Sequence, residues 1–342
     1  MDEPTSPSSA ETPGPSPAGA DDGSPVRIVA WSSGTTRQLQ GVDALRASLA
    51  EPDTRVWVDI ATDDEDIVGE VAQLLELHPL ITEDIAERNQ RAKVEETDGT
   101  IHIVLFWIAY AGEVTELEVD LVLCRRGLLT VHSPGWDPLT LPQLRGDIGN
   151  ILKRGPDFLL YAITDGIVDG YFPVLDALDD EIDALQDDVI QKPSTWTLER
   201  LFALKKELIG LRRAMSPARE IFAQLTNRDL ELLNPAHVIY FRDVYDHLIR
   251  VTDELDNDRE LVAGTLEVYL STINNNLSTI MKRLTGVTVI LAGIGAVAGV
   301  FGMSEATTAI ANGEGGGFWL ITGFIVMGAA LTALVLRRID WI

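Results

Sequence analysis

Hydrophobic residues along this chain change their period twice. From Val26 to about Leu141 they come in short runs rich in β-branched and aromatic side chains: VRIVAW (26–31), RVWVDI (55–60), IHIVLFWIAY (101–110), EVDLVLC (118–124) and LLTVH (128–132). Such runs predict strands, and Asp98-Gly99 is a hairpin signal between them. Helical patterns intervene at 42–50 and 64–77, the second opening at Thr62-Asp63 with acids in its first turn. The expectation is an α/β domain with a mixed sheet.

Beyond Pro156 the strands stop and the period becomes 3.6. Residues 157–190 and 197–230 predict two long helices, separated at Gln191-Lys192-Pro193-Ser194, where the proline blocks continuation. In the first, Leu175, Leu178, Ile182 and Leu185 make a stripe to bury, and Asp176, Asp179, Asp180, Glu181, Asp183, Asp187 and Asp188 cover the rest. Solvation is the default account of such a face; cation attraction is the alternative. A third helical pattern starts near Pro235 and meets no proline downstream. Helical to about Gly302, it would be on the order of 100 Å long. No single globular domain holds such a helix, whereas a stalk continuing into a membrane does.

The second change is to no period at all. Residues 284–303 and 318–336 carry no charge, and each is long enough to cross a hydrocarbon core of about 30 Å. Lys282 and Arg283 precede the first span, Arg337 and Arg338 follow the second, and the linker between them has no Lys or Arg. This asymmetry predicts a multi-pass protein of the cell membrane with both termini in the cytoplasm. Phe318, Trp319 and Trp341 sit where interfacial aromatics belong. Two spans cannot enclose a pore alone, so transport would require an oligomer. Thr285, Thr288, Ala292, Gly295, Gly299 and Gly302 form a small or hydroxylated stripe on the first span, with Met281 one turn before it. Close helix packing through Gly295 and Gly299 and a pore lining in a ring of copies are equal readings of that stripe.

Composition narrows the function. Among 342 residues, 53 are acidic and 27 basic, a net charge of −26. That field repels nucleic acid and concentrates cations. A hydrophobic content of 46% excludes wholesale disorder, although residues 1–25, rich in Pro, Ser, Gly and acid, predict a disordered tail without the apolar core of a signal peptide. Cys124 is the one cysteine, so intramolecular disulfides and cysteine-based zinc clusters are excluded; its apolar strand makes it a buried packing residue. No glycine-rich phosphate loop and no nucleophile–base set is recognisable, and no enzyme is expected.

Four stretches carry a family resemblance: HPLITEDIAERNQRAKVEETDGTIHIVLF (78–106), YAITDGIVDGYFPVLDALDDEIDALQDDV (161–189), YFRDVYDHLIRVTDELDNDRELVAGTLEVYLSTINNNLSTIMKRLT (240–285), and the ending FGM (301–303) before a short loop and a second span. In this order they resemble the CorA family of magnesium transporters, within the superfamily that includes the zinc-transporting ZntB proteins. The resemblance implies an α+β chain assembled as a homopentameric funnel in membrane lipid, its partners being copies of itself and divalent cations. The corresponding plan is a tail (1–25), an α/β cytoplasmic domain (26–155), an acidic helical hairpin (156–234), a stalk helix (235–283), a pore-lining span (284–303), an extracytoplasmic loop (304–317), a second span (318–337) and a cytoplasmic tail (338–342). It also implies Mg2+ as both cargo and regulator. Carried over by position, the gating carboxylates are Asp84 and Asp243, with Glu83 and Asp165 as a neighbouring site. A hard ion that keeps its waters and is held by one or two carboxylates suits that role.

The pore mouth departs from the family pattern. Where the family has Gly-Met-Asn, this chain has Gly302-Met303-Ser304, followed by Glu305. Serine offers oxygen on a shorter arm with a weaker dipole, and Glu305 and Glu314 bring carboxylates to the same loop. Mg2+ is the first choice of cargo, with Co2+ and Ni2+ behind it. The alternatives are a zinc transporter of the same superfamily and a membrane-anchored cation sensor that does not conduct.

Overall fold

A computed structural model of the protein describes residues 24–302 and 316–338, except Asp98, Asp147 and Asp229. The tail to residue 23, Met303, Ser304, Glu305, Glu314 and Trp341 lie outside the described residues. Two compact units are present, one of the residues up to Ala177 with Ile209–Leu255, the other of Leu178–Leu208 with Asp256 onward.

The first unit is built on a seven-stranded sheet of order β2-β1-β3-β7-β6-β5-β4. The strands are β1 Val26–Ser32, β2 Thr35–Gln40, β3 Arg55–Ala61, β4 Lys93–Thr97, β5 Thr100–Tyr110, β6 Val114–Cys124 and β7 Gly127–His132. Only β3 and β7 run parallel; every other neighbour is antiparallel, so the sheet is mixed as expected. The two central strands are buried on both faces, and their sequences are near-continuous apolar runs for that reason. Gly127 opens β7 because a Cβ there would meet the Val56 carbonyl oxygen at 2.3 Å. The edge strands β2 (TTRQLQ) and β4 (KVEET) are polar and were not legible as strands. Thr97 and Thr100 are paired across the β4–β5 turn, where Gly99 takes φ +77°.

Helices α1 (Val42–Ala50), α2 (Glu65–Leu74) and α3 (Pro79–Glu87) bury Leu45, Val68, Val71, Ile81 and Ile85 against Ile28, Val58, Ile60, Val122, Leu129 and Val131 of the sheet. Helix α3 was not read from the sequence. It begins where His78 Nδ1 accepts from the Leu80 amide at 3.2 Å, with Pro79 in its first turn, and ends at left-handed Arg88. Two 3-10 turns (Pro138–Thr140 and Pro142–Leu144) lead to α4 (Ile148–Arg154) and α5 (Pro156–Asp169), which pack against the sheet. Gly170 interrupts the helix expected over 157–190, and α6 (Tyr171–Gln191) continues after it. Cys124 is half-buried at the end of β6 rather than in its interior, its thiol 3.3 Å from the Gly127 carbonyl.

In the second unit, α6 buries Leu178, Ile182, Leu185 and Val189 beside Leu201, Leu204 and Leu208 of α7 (Thr195–Asn227) and Val262 of α8 (Val238–Gly302). Asp179, Asp180, Asp183, Asp187 and Asp188 of α6 are exposed, as the amphipathic pattern required, whereas Glu181 pairs with Arg200 at 2.8 Å. Past Tyr269 the 65-residue α8 turns apolar and is largely exposed, and the described side chains of α9 (Gly316–Arg338) are exposed or half-exposed. Among the described residues two helical stretches are long and apolar enough to span a membrane. In Pro156–Gln191 the apolar window is 72% buried, marking a core helix; in Val238–Val300 it is 6% buried. Side chains such as Leu284, Leu291 and Val300 on α8, and Phe324, Leu331 and Leu334 on α9, are more than half exposed. A lipid environment is what such surfaces match.

Candidate functional site

Helical spacing assembles a polar group in the first unit. Asp165 and Asp169 are four apart on α5, Asp243 and His247 four apart on α8, so each pair shares a face. His247 Nδ1 stands 3.0 Å from Asp169 Oδ1, and its Nε2 stands 4.0 Å from Asp243 Oδ2. Gln143 Nε2 donates to Asp165 Oδ2 at 3.0 Å and to Asp169 Oδ2 at 2.9 Å. One ligating atom each from Asp165, Asp169 and His247 lies within 4.8 Å of the others. Gly166 lets Gln143 reach this position, since a Cβ there would stand 2.8 Å from Gln143 Oε1 and 3.1 Å from both Leu141 methyls.

The field in this group is negative. Burial pushes the Asp165 carboxyl above the ordinary range; the Gln143 bond opposes this, and Asp169 and Asp243 add to it. The Tyr161 hydroxyl is pushed up to about 12 by burial and then by Asp165, Asp243 and Asp169. Three carboxylates and an imidazole, with a neutral amide as the counterpart on two of them, suit a divalent cation. The structure thus brings Asp165 and Asp243 into one neighbourhood, together with Asp169 and His247, which sequence reading missed. The i, i+4 spacing from Asp165 and Asp243 was the signal that could have found them.

Asp84 stands elsewhere. It lies on α3 with Lys93 Nζ 2.5 Å from its Oδ2 and Gln90 Nε2 3.3 Å from its Oδ1, and it groups with Glu95 and His102. Glu83, beside it, is exposed.

On the apolar part of α8, Met281, Thr285, Thr288, Ala292, Gly295 and Gly299 are all exposed. A Cβ added at Gly295 or Gly299 would meet nothing within 4 Å. The threonine hydroxyls donate back to Met281 and Leu284 carbonyls at 2.8 Å, so they cost the apolar surface no unpaired donor. A cavity between the two apolar helices is lined instead by Val289, Ile290, Gly293, Ile294 and Val297 of α8 and by Phe324, Ile325, Gly328, Ala329 and Thr332 of α9. The second helix thus lies against another face of α8, and among the described residues nothing packs on the Gly295–Gly299 pair. Gly302 closes α8.

The chain is similar to known proteins. Residues 53–338 match the family described as CorA-like Mg2+ transporter protein. The Cobalt/magnesium transport protein CorA of Thermotoga maritima is 36% identical over 258 residues, 73% of either chain. The zinc transport protein ZntB of Cronobacter sakazakii is 26% identical over 186 residues, 52% of this chain and 54% of that one. The complete structure of the CorA magnesium transporter from Methanocaldococcus jannaschii has the same fold, with a TM-score of 0.77 at 22% identity over 93% of this chain and 98% of that one.

Proposed function

The chain belongs to the CorA-like Mg2+ transporter family, a family of membrane transporters of divalent cations and not of enzymes, and from that premise we propose that copies of α8 line a pore conducting Mg2+ first, with Co2+ and Ni2+ behind it. The observation that carries this reading is the stripe from Thr285 to Gly299, exposed and open on a helix whose opposite contacts are taken by α9. Small residues there leave room on an axis shared by identical helices, and five copies is the number the family resemblance implies. Met281 and Gly302 bound the stripe, and Met303, Ser304 and Glu305 follow at its outer end.

Gating falls to cytoplasmic cations. Asp165, Asp169, Asp243 and His247 form a negative group that repels itself when empty and is bridged when occupied, which gives a cation a differential affinity for one state of the protein. Asp84 and Glu83 supply further carboxylates at exposed or half-exposed positions for a neighbouring copy.

Uptake of Mg2+, Co2+, Ni2+ and Zn2+ into liposomes holding the purified protein, under an inside-negative potential, tests the reading. Flux of Mg2+ with competition by Co2+ and Ni2+ is expected, from an assembly that light scattering sizes as a pentamer. Zinc flux alone would favour the zinc-transporting relatives, and no flux of any ion would leave a membrane-anchored cation sensor.

A further inference from the structure

We propose that Asp84, Glu95 and His102 form a second metal site, one that takes a nitrogen-preferring divalent ion of the Zn2+, Co2+ or Ni2+ class. Strand register builds it. In the β4–β5 ladder Glu95 is directly opposite His102, and in the β5–β6 ladder His102 is opposite Val122, which places Asp120 diagonally beside it on the same face. Asp84 arrives from α3. One ligating atom of each of Asp84, Glu95 and His102 lies within 4.8 Å of the others.

The histidine is what distinguishes this group from a patch of surface acids. Its side chain is 0% exposed, and Nε2 is 2.7 Å from Asp120 Oδ1, also buried. The other ring nitrogen, Nδ1, is buried without a hydrogen-bond partner. A sealed polar atom left unpaired carries an uncompensated desolvation cost. With the proton on Nε2, toward the carboxylate, Nδ1 carries a lone pair, and this carboxylate–imidazole arrangement is the one that orients metal-bound histidines. Lys93 presently plays the part of the cation: its ammonium lies 2.5 Å from Asp84 Oδ2 and 3.3 Å from Glu95 Oε1. A divalent ion replaces one positive charge between those carboxylates by two and adds a bond to nitrogen. Mg2+, which favours oxygen and sheds water reluctantly, gains little from the imidazole; Zn2+, Co2+ and Ni2+ gain most. Glu95, about half exposed, leaves the site open to entry.

Binding here does not depend on conduction, so failure of this site and failure of the transport reading are separately visible. The test is titration of the full chain in detergent with Co2+, followed by its visible d–d absorption in millimolar Mg2+. Wild-type protein should show a Co2+ site that Zn2+ displaces at far lower concentration than Mg2+ does. Affinity should fall about tenfold or more in His102→Gln and Glu95→Gln, and by a similar factor in Asp120→Asn, the range seen when ligand-orienting partners are removed. Lys93→Met should tighten it, and His247→Gln, in the other polar group, should leave it unchanged. Glu95 is exposed, so its variant keeps the test decisive if the buried histidine proves necessary for folding. Wild-type Co2+ affinity in both Glu95→Gln and Lys93→Met, or loss of the site in His247→Gln, would overturn the proposal.

Discussion

His132 Nε2 stands 3.3 Å from Oδ1 of Asp59, with both side chains sealed inside the sheet domain. Arg27 reaches the same carboxylate at 2.8 Å, and the Thr130 hydroxyl donates to it. Burial alone would push the Asp59 carboxyl up; His132, Thr130 and Arg27 together outweigh it and hold the group below the ordinary carboxylate range. A depressed folded-state pKa stabilises the protein above the unfolded pKa of about 3.9, and this contribution is lost as pH falls through the folded value. Asp59→Asn should therefore cost about 3 kcal/mol at neutral pH, the scale for breaking a buried pair, and progressively less below pH 4. Thermal unfolding of both proteins across that range checks it; a constant gap would show that packing, not charge, is what Asp59 supplies.

The small-residue stripe makes a sharper claim. Gly295→Leu and Gly299→Leu should each reduce cation flux at least tenfold, because the added side chains would converge on one axis in the proposed pentamer. A Cβ at either position meets nothing within 4 Å among the described residues, so the first added carbon has room in the isolated chain. Flux at the wild-type rate from assembled protein would return this face to a packing role.

Gating is tested away from the membrane. On the proposed gating, Mg2+ should protect the wild type from proteolysis, and Asp84→Ala with Asp243→Ala should remove that protection and weaken inhibition of flux by millimolar internal Mg2+. Gly166→Ala should act on the same response by a different route, displacing Gln143 from the Asp165 and Asp169 carboxylates. If Mg2+ protects the double variant as well as the wild type, its regulatory site lies elsewhere.

At the pore mouth the prediction rests on side-chain chemistry. In the proposed pentamer Ser304 would set a shorter and weaker oxygen ring than asparagine, while a ring of Glu305 would attract divalent ions with little regard to identity. Ser304→Asn should raise preference for Mg2+ over Co2+ and Ni2+, and Glu305→Gln should lower uptake of all three, with the wild-type advantage shrinking as monovalent salt is added. Competitive uptake at fixed potential reads both effects. Strict Mg2+ selectivity in the wild type, unaltered by Glu305→Gln, would move selection deeper into the pore.

What the sequence made legible follows from how much of each element's environment is encoded locally. The five inner strands and the apolar spans announce themselves because burial or lipid on every side demands apolar residues throughout. Edge strands β2 and β4 face water along one edge and read as polar loops. Helix α3 was hidden because its start depends on His78 capping the Leu80 amide, an unusual cap. Of the polar group on α5 and α8, Asp165 and Asp243 were accessible through family resemblance alone, and their i+4 neighbours Asp169 and His247 only through helical geometry. The His102–Asp120 contact joins residues 18 apart by a diagonal across two strands. No spacing rule finds such a pair before the register is known.

The polar edges of the sheet carry a last consequence. An open edge strand is a template on which another chain can add its own backbone. Here β2 ends the sheet with TTRQLQ and β4 ends it with KVEET, side chains that keep both borders solvated and discourage growth of the sheet from one copy into the next. The contacts of the proposed pentamer would then fall to its helices, whose packing can loosen and re-form without unzipping a ladder of backbone hydrogen bonds.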